Sequence, residues 1–511
     1  MRAGGFPPPL TELDANDPKS IEAFGRRAIG RTAREIIASR DPLHPLLREG
    51  RKATKGDLGD AMEVYYGIRK NNRSDPDFPA AKVELKTLPL KRLKGRGHAV
   101  KESTSISMIH YPTLPPEGWA TASVREKLGR VLFAMFSIDP SDVLESTLRD
   151  LFLWEPRPTD WDLFGSDWEV TRRVVAASEA ETLSERHAVA LAARRKGRGG
   201  PTDIGTPQYN PLNDPAIKNA PSRAWALKTH FTRQLLEERR SRTPEAFASA
   251  LEVVQPGPPG KVLTPVEEKV LTELRPFERR SLAALMAAKR LGGGGGKNLA
   301  SRMVHKALGV DPRKRIREFE QAGYLVRTLN LQEQDGWPYE AVSFPVVDLC
   351  ELIEQQWEPR IIEDETGMEV ATIPGSELSG QLQRILFVPT FASKRKTPQL
   401  NRKLGKAFFW SPSEAELKGI RAEWESYQRE VKQGKAVYHR IPGKKRRENY
   451  LTKPRPEGFI HMRPHGRNAK DVYKDPKGKW VTKQCFWLNK DFVYRILEQN
   501  DALPPGRTHK E

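Results

Sequence analysis

Between Lys55 and Pro89 the chain reads KGDLGDAMEVYYGIRKNNRSDPDFPAAKVELKTLP, which brings Glu63, Asp77, Glu84 and Lys86 into one short stretch. Carboxylates and an ammonium at these spacings could serve phosphodiester hydrolysis. Asp77 and Glu84 can hold a Mg²⁺, a hard cation that takes one or two carboxylates and keeps positions for water and phosphate. Such an ion stabilises charge building on a scissile phosphate and favours deprotonation of a bound water. Lys86 can orient that water or help deprotonate it, and its charge suits the developing anion. Glu63 can complete the metal's shell or hold a water against its ligands. The bare Asp-x-x-x-x-x-x-Glu-x-Lys spacing is weak evidence alone, since Glu267-Glu268-Lys269 and Glu416-Leu417-Lys418 also read E-x-K. A solvated, charged strand face is the bland alternative.

Local elements must position these groups. Gly56 to Tyr66 has helical spacing, with Leu58, Met62 and Tyr65 on one face and Glu63 among them. Asn71 to Pro76 is a turn cluster. Val83 to Leu88 alternates apolar and polar, so Glu84 and Lys86 share one strand face while Val83 and Leu85 point to the core. Upstream, Pro7-Pro8-Pro9 precedes a helical pattern through Ile21, Phe24, Ile29 and Ile36-Ile37. Lys91 to Lys101, basic and glycine-punctuated, reads as a loop, and residues 197–222 as irregular. Val254 to Gly260 reads as a linker, and Gly292 to Gly296 is too flexible for a helix interior.

The chain also repeats itself at domain scale. Arg130-Val131-Leu132-Phe133 returns as Arg384-Ile385-Leu386-Phe387, and Phe152-Leu153-Trp154-Glu155-Pro156 as Phe408-Phe409-Trp410-Ser411-Pro412. A second tryptophan follows 14 residues later in each copy, Trp168 and Trp424. Arg194 to Arg198 pairs with Arg463 to Arg467, and Leu227 to Phe231 with Leu488 to Phe492. Ordered matches over so long a period imply two α/β domains of one fold rather than a solenoid. The expected partition is 1–245, a linker at 246–264, and 265–511. The tryptophans are expected in the cores.

Composition narrows the partners. The 511 residues carry a formal charge of +20, which fits a polyanion such as a nucleic acid. No apolar run reaches bilayer length and the N-terminus has no secretory apolar core, so a cytoplasmic protein is expected. The two cysteines, Cys350 and Cys485, lack metal-ligand spacing and read as ordinary buried thiols. No GxSxG elbow, Cys/His pair or P-loop is present, which disfavours serine or cysteine hydrolases and ATP-driven translocation.

The run Lys55-Gly56-x-x-Gly59, Glu63, Asp77-Phe78-Pro79-Ala80 and Val83-Glu84-Leu85-Lys86-Thr87 closely resembles the catalytic segment of MutH, a nicking endonuclease of the PD-(D/E)xK superfamily. The similarity continues through Val124 to Leu128, the Trp154 and Trp168 segment, and Arg194 to Lys196, covering most of 20–240 and, more weakly, 265–500. A tandem pair of such domains resembles type II restriction enzymes of the Sau-three-A-I type, whose second domain binds DNA without cutting. The resemblance implies an α/β (α+β) fold of two tandem restriction-endonuclease-like domains, each a central mixed sheet flanked by helices. It implies Mg²⁺-dependent cleavage of double-stranded DNA at GATC. Glu63, Asp77, Glu84, Lys86 and Lys55 would be catalytic, with Asp77, Glu84 and Glu63 on the metal. Lys127, Arg194, Arg195, Lys196, Arg198 and Lys228, and in the second copy Arg463, His465 and Arg467, would contact DNA.

In the second copy Glu318 to Gly323 stands opposite Asp77 to Lys82, while Leu325 and Arg327 stand opposite Glu84 and Lys86. Losing that carboxylate implies a catalytically dead domain that binds a second DNA copy and regulates the first. Arg195 replaces a proline of the family and Ala226 a tyrosine associated with adenine-methylation sensing, departures that bear on the recognition sequence. Cutting both strands of a palindrome implies two chains meeting on DNA, and a restriction system implies a partner methyltransferase. The rival readings are a strand-nicking repair enzyme and a DNA-binding defence protein that no longer cuts.

Overall fold

The computed structural model describes residues 6–51, 53–54, 56–68, 75–92, 97–100, 103–139, 141–183, 185, 188–197, 205–240, 247–248, 265–288, 302–305, 308–311, 315–316, 319, 323–358, 360–363, 369–373, 375–440, 447–468 and 471–504. Lys55, Arg198, Glu318 and Gly292 to Gly296 lie outside them. The chain divides into two compact units: Met1–Arg242 with Pro359–Ile373, and Thr243–Glu358 with Pro374–Glu511.

Unit one begins with helices α1 (Pro18–Arg26), α2 (Ala33–Arg40) and α3 (Gly56–Tyr66). Local chemistry starts the first two. Asp17 accepts N–H bonds from Lys19 and Ser20, and Thr32 with Glu35 forms a reciprocal capping box. Strands β1 (Glu84–Arg92), β2 (His98–Val100) and β3 (Thr104–Met108) follow, then α4 (Ser123–Leu128), β4 (Val131–Ser137), β5 (Thr147–Trp154) and α5 (Pro158–Ala176). The unit continues with β6 (Leu191–Gly197), β7 (Arg223–Leu227) and α6 (Thr229–Arg240).

One sheet has the order β2-β1-β4-β5. Strands β1 and β4 run parallel with Glu84 level with Val131, and β5 is antiparallel to β4. Its two faces bury different cores. Val83, Leu85, Leu132 and Phe136 pack with Ile21, Ile36, Met62 and Tyr65 from the N-terminal helices. Leu88, Leu90, Val131 and Phe133 pack with Phe164, Trp168 and Phe231 on the other side. The second sheet joins β3, β7 and β6, and its far edge is a hairpin from much later in the chain, Arg360–Glu363 with Glu369–Ile373. There Ile361 and Ile362 pair in parallel with Lys196 and Gly197.

Unit two repeats this plan. Leu325–Gln332 runs parallel to Ile385–Ala392, which pairs antiparallel with Phe408–Trp410. Gln484–Leu488 pairs with Val342–Val347 and Ile460–Pro464, as β7 pairs with β3 and β6. Glu414–Lys432 and α5 each have 19 residues. Small details recur. Glu84 donates its N–H to the Arg130 carbonyl at 2.9 Å, as Leu325 does to Arg384 at 3.1 Å. The carboxylate before each second tryptophan caps a later strand. Asp167 accepts from the N–H groups of Val189, Ala190 and Leu191, and Glu423 from those of Phe459 and Ile460. Trp154, Trp168, Trp410 and Trp424 are all buried, as packing requires.

Several expectations change. Lys91 to Lys101 is not simply a loop: β1 runs on to Arg92 and pairs with β2, because Leu90 and Val100 share a core. Within 246–264, Phe247–Ala248 forms a short strand against Arg315–Ile316, and the remaining residues lie outside the described ones. The 359–373 segment departs from a simple division at one linker. Cys485 is buried but Cys350 is exposed. Among the described residues no helix is long and apolar enough to cross a membrane.

Candidate active site

The site lies at the N-terminal end of β1. Glu84, Lys86, Leu88 and Leu90 share a strand face, so the strand begins polar and becomes apolar where it enters the core. Glu84 is 1% exposed, a burial that a carboxylate tolerates only with close cationic partners. It has two. Lys86 Nζ stands 2.6 Å from Glu84 Oε1, and Lys127 Nζ donates to both Glu84 oxygens at 3.1 Å. Asp77 enters from the preceding turn, where Phe78 and Val83 exchange backbone hydrogen bonds and Lys82 adopts φ 52°. One Asp77 oxygen accepts the Leu85 N–H at 2.8 Å, fixing the carboxylate beside the strand.

The electrostatics show how closely the groups interact. Burial and the neighbouring Glu84 charge push the Asp77 carboxyl upward, against Lys86, the Leu85 N–H and Lys127. Burial alone would lower the Lys86 ammonium, but Glu84, Asp77 and Glu63 outweigh it and raise it. Glu63 is half-buried on α3 and acts on Lys86 through space. Helix α3 is itself anchored by Asp57, fully buried, which accepts from Arg51 at 2.6 and 2.9 Å and from the Thr54 N–H at 2.8 Å.

Among the described residues no three His, Cys, Asp or Glu side chains are gathered to hold a metal. Glu63 is therefore not brought into a three-carboxylate cluster with Asp77 and Glu84. The pair itself fits a Mg²⁺. Two interacting carboxylates, one raised by the other, gain from a divalent cation, and that ion commonly takes one or two carboxylates with waters and phosphate oxygens.

The expected DNA contacts fall into two groups. Lys127, Arg194 and Lys228 are buried and committed to interior partners. Lys127 belongs to the Glu84 cluster. Its signal was present in the sequence, since Val124, Lys127 and Leu128 lie on one face of α4. Arg194 donates to the Ser103 carbonyl at 2.7 Å. Lys228 donates to the carbonyls of Glu185 and Ala188, and burial lowers its ammonium to about 8 despite Glu185 and Asp167. Arg194 and Lys228 differ from the surface contacts expected of them, because spacing does not reveal that Leu191 to Arg194 and Arg223 to Leu227 form buried strands, and Lys127 differs because it lies on the buried face of α4. Arg195 and Lys196 are half-buried on β6, and Arg463, His465 and Arg467 are exposed. Arg463 lies over the Trp487 ring, 3.8 Å from its centroid.

The register places Leu325 where Glu84 stands and Arg327 where Lys86 stands. Arg327 donates to the Ser343 and Val326 carbonyls instead of facing a carboxylate. The Phe319 carbonyl accepts the Tyr324 N–H as the Phe78 carbonyl accepts that of Val83, and Phe319 packs against Phe409.

Comparison with known proteins places the chain beside two groups of nucleases. The family model for the DNA mismatch repair enzyme MutH matches residues 66–167. The type II restriction enzyme Sau3AI of Staphylococcus aureus is 25% identical over 94% of this chain and 98% of its own length. DNA mismatch repair protein MutH is 29% identical in Vibrio vulnificus, over 36% of this chain and 79% of that protein. In Shewanella baltica it is 28% identical, over 37% of this chain and 81% of that protein.

Proposed function

We propose that this chain, similar to MutH and to a type II restriction enzyme, is a MutH-like type II restriction endonuclease that hydrolyses both strands of duplex DNA at GATC using Mg²⁺, Asp77 and Glu84 of unit one. The observation that carries the reading is the cluster of Asp77, Glu84, Lys86 and Lys127 at one strand end. When bound by Asp77 and Glu84, a divalent cation supplies charge stabilisation at the scissile phosphate and lowers the pKa of a coordinated water. Lys86 orients the attacking water and balances charge developing on the phosphate. Lys127 donates to both Glu84 oxygens and keeps them in place. Glu63 adds negative potential at Lys86 and positions water at the edge of the site.

Unit two has leucine in place of the strand carboxylate, which supports a domain that does not cut. Its exposed Arg463, His465 and Arg467 support binding of a second DNA copy, with guanine edges and phosphates as partners. Occupation of that second site regulates cutting at the first. Two chains meeting on a palindrome supply the two cuts, and a methyltransferase of matching specificity protects the host.

A supercoiled plasmid with one GATC, incubated with and without Mg²⁺, tests the reading. Linear product that requires the metal and disappears in Asp77→Ala and Glu84→Ala supports it. Open circles alone would identify a nicking enzyme, and unchanged plasmid a binding protein. Undiminished cleavage by either alanine variant would remove the catalytic assignment.

A further inference from the structure

Unit two carries an exposed basic and aromatic hairpin beyond the strand that bears Arg463. Val472–Lys474 pairs antiparallel with Trp480–Thr482, with Tyr473 opposite Val481 and Lys474 opposite Trp480. The ladder gives the two pairs opposite faces. Tyr473 and Val481 are buried, and the Tyr473 hydroxyl donates to the Val347 carbonyl at 3.0 Å, fixing the hairpin to the body of the unit. On the outward face Trp480 is 65% exposed, with Lys474 Nζ 5.6 Å from its ring centroid.

The turn presents cations and withdraws its acid. Asp475 is 2% exposed and accepts the N–H groups of Lys477 at 3.0 Å and Lys479 at 2.7 Å. Gly478, at φ 75°, completes the reversal. Asp471, at the base, is paired with Lys483 at 2.5 Å. The outer surface thus offers Lys474, Lys479 and an indole with no exposed carboxylate between them, while Lys477, in the turn itself, donates to the Gln433 carbonyl and ties the turn to the end of the Glu414–Lys432 helix. A tryptophan so exposed contributes little to packing, which is its usual use.

We propose that this hairpin is a DNA-contacting finger of unit two: Lys474 and Lys479 take phosphates, and Trp480 meets the bases of a duplex. The assignment rests on the reading that unit two binds a second DNA copy, and it names the residues that do so beyond Arg463, His465 and Arg467. Position supports it. The His465 N–H donates to the Lys483 carbonyl at 2.8 Å and the Arg467 N–H to Asp471 at 3.0 Å, so the basic loop and the finger share one hydrogen-bonded base. Shape supports it too, because a two-stranded ribbon fits the major groove of B-DNA.

The full chain, without divalent metal, is titrated with a short fluorescent GATC duplex across a range of salt. The chain is expected to bind two duplexes. Trp480→Ala should weaken the second by roughly tenfold with the salt dependence unchanged, since apolar contact with base edges in the groove is not a counterion effect. Trp480→Phe should retain most of the affinity. Lys474→Ala with Lys479→Ala should flatten the plot of log K against log salt by about 2, because each phosphate that is no longer neutralised takes about 0.9 from the slope. Unchanged thermal midpoints confirm that each variant folds. A Trp480→Ala chain that binds the second duplex as tightly as the wild type overturns the finger and leaves the two-duplex reading standing. A wild-type chain that binds one duplex only overturns both.

Discussion

Glu84 shows how far local spacing reaches and where it stops. Its alternation with Leu85 and Lys86 is set by the strand alone, so the face it shares with Lys86 was legible from the sequence. Its second cation was legible only as a buried position, since Val124, Lys127 and Leu128 mark one face of α4; that Lys127, 43 positions away, meets Glu84 is set by the tertiary fold. Two substitutions separate the roles at this scale. Asp77→Asn removes a carboxylate from the proposed metal pair and is expected to reduce kcat by about 10² or more. Lys127→Ala leaves both proposed ligands in place but releases Glu84 from one side. Groups that orient a ligand typically matter by about 10–100-fold, and here the loss should come with a raised Mg²⁺ requirement. Titrating cleavage against Mg²⁺ checks this. A Lys127→Ala enzyme with lower kcat and an unshifted metal midpoint would assign Lys127 to the phosphate instead.

At the scale of elements, α3 and β1 were readable because each carries its own periodic pattern, and the duplicated strands because their tryptophans recur. The β2 strand was hidden, since glycines and lysines around it mimic a loop and only the shared core with Val100 reveals the pairing. The start of α3 is a testable joint, because it aims Glu63. Burial alone would raise the Asp57 carboxyl, but Arg51 and Thr54 outweigh burial and hold it below its ordinary value. A carboxyl lowered by folding contributes stability above the unfolded pKa of about 4 and loses it as pH falls through the folded value. Asp57→Asn should therefore cost about 1.5–3 kcal/mol at pH 7, the range for hydrogen bonds to a charged group. The gap from wild type should narrow below pH 4. Thermal melts of both chains from pH 3 to 7 measure it, and a gap that stays constant would show that the Asp57 charge is not what anchors the helix.

For the whole molecule, the repeated fold was visible in sequence, but the hairpin that unit one takes from residues 359–373 was not, since nothing in a strand names its partner strand. That hairpin covers the edge of β6 beside Lys196, where unpaired N–H and C=O groups would otherwise face solvent. A fragment of residues 1–245 lacks it, so such a fragment is not simply the catalytic unit freed from control. A better probe keeps the full chain and replaces residues 360–373 with a short Gly-Ser connection. Gln356 and Gly375 are bridge partners at the hairpin's root, so a short connection can span them. Unit two should keep its fold in this variant. Strand β6 should lose its edge partner, and with it the fixed positions of Arg195 and Lys196. On a duplex with a single GATC the expected result is a raised KM with kcat largely preserved, together with new protease sensitivity across residues 191–197. The Asp77 and Glu84 cluster sits in the other sheet, which is why chemistry should outlast binding. Loss of kcat at unchanged KM would mean that the hairpin acts on the catalytic end of β1 rather than on the strand it pairs with.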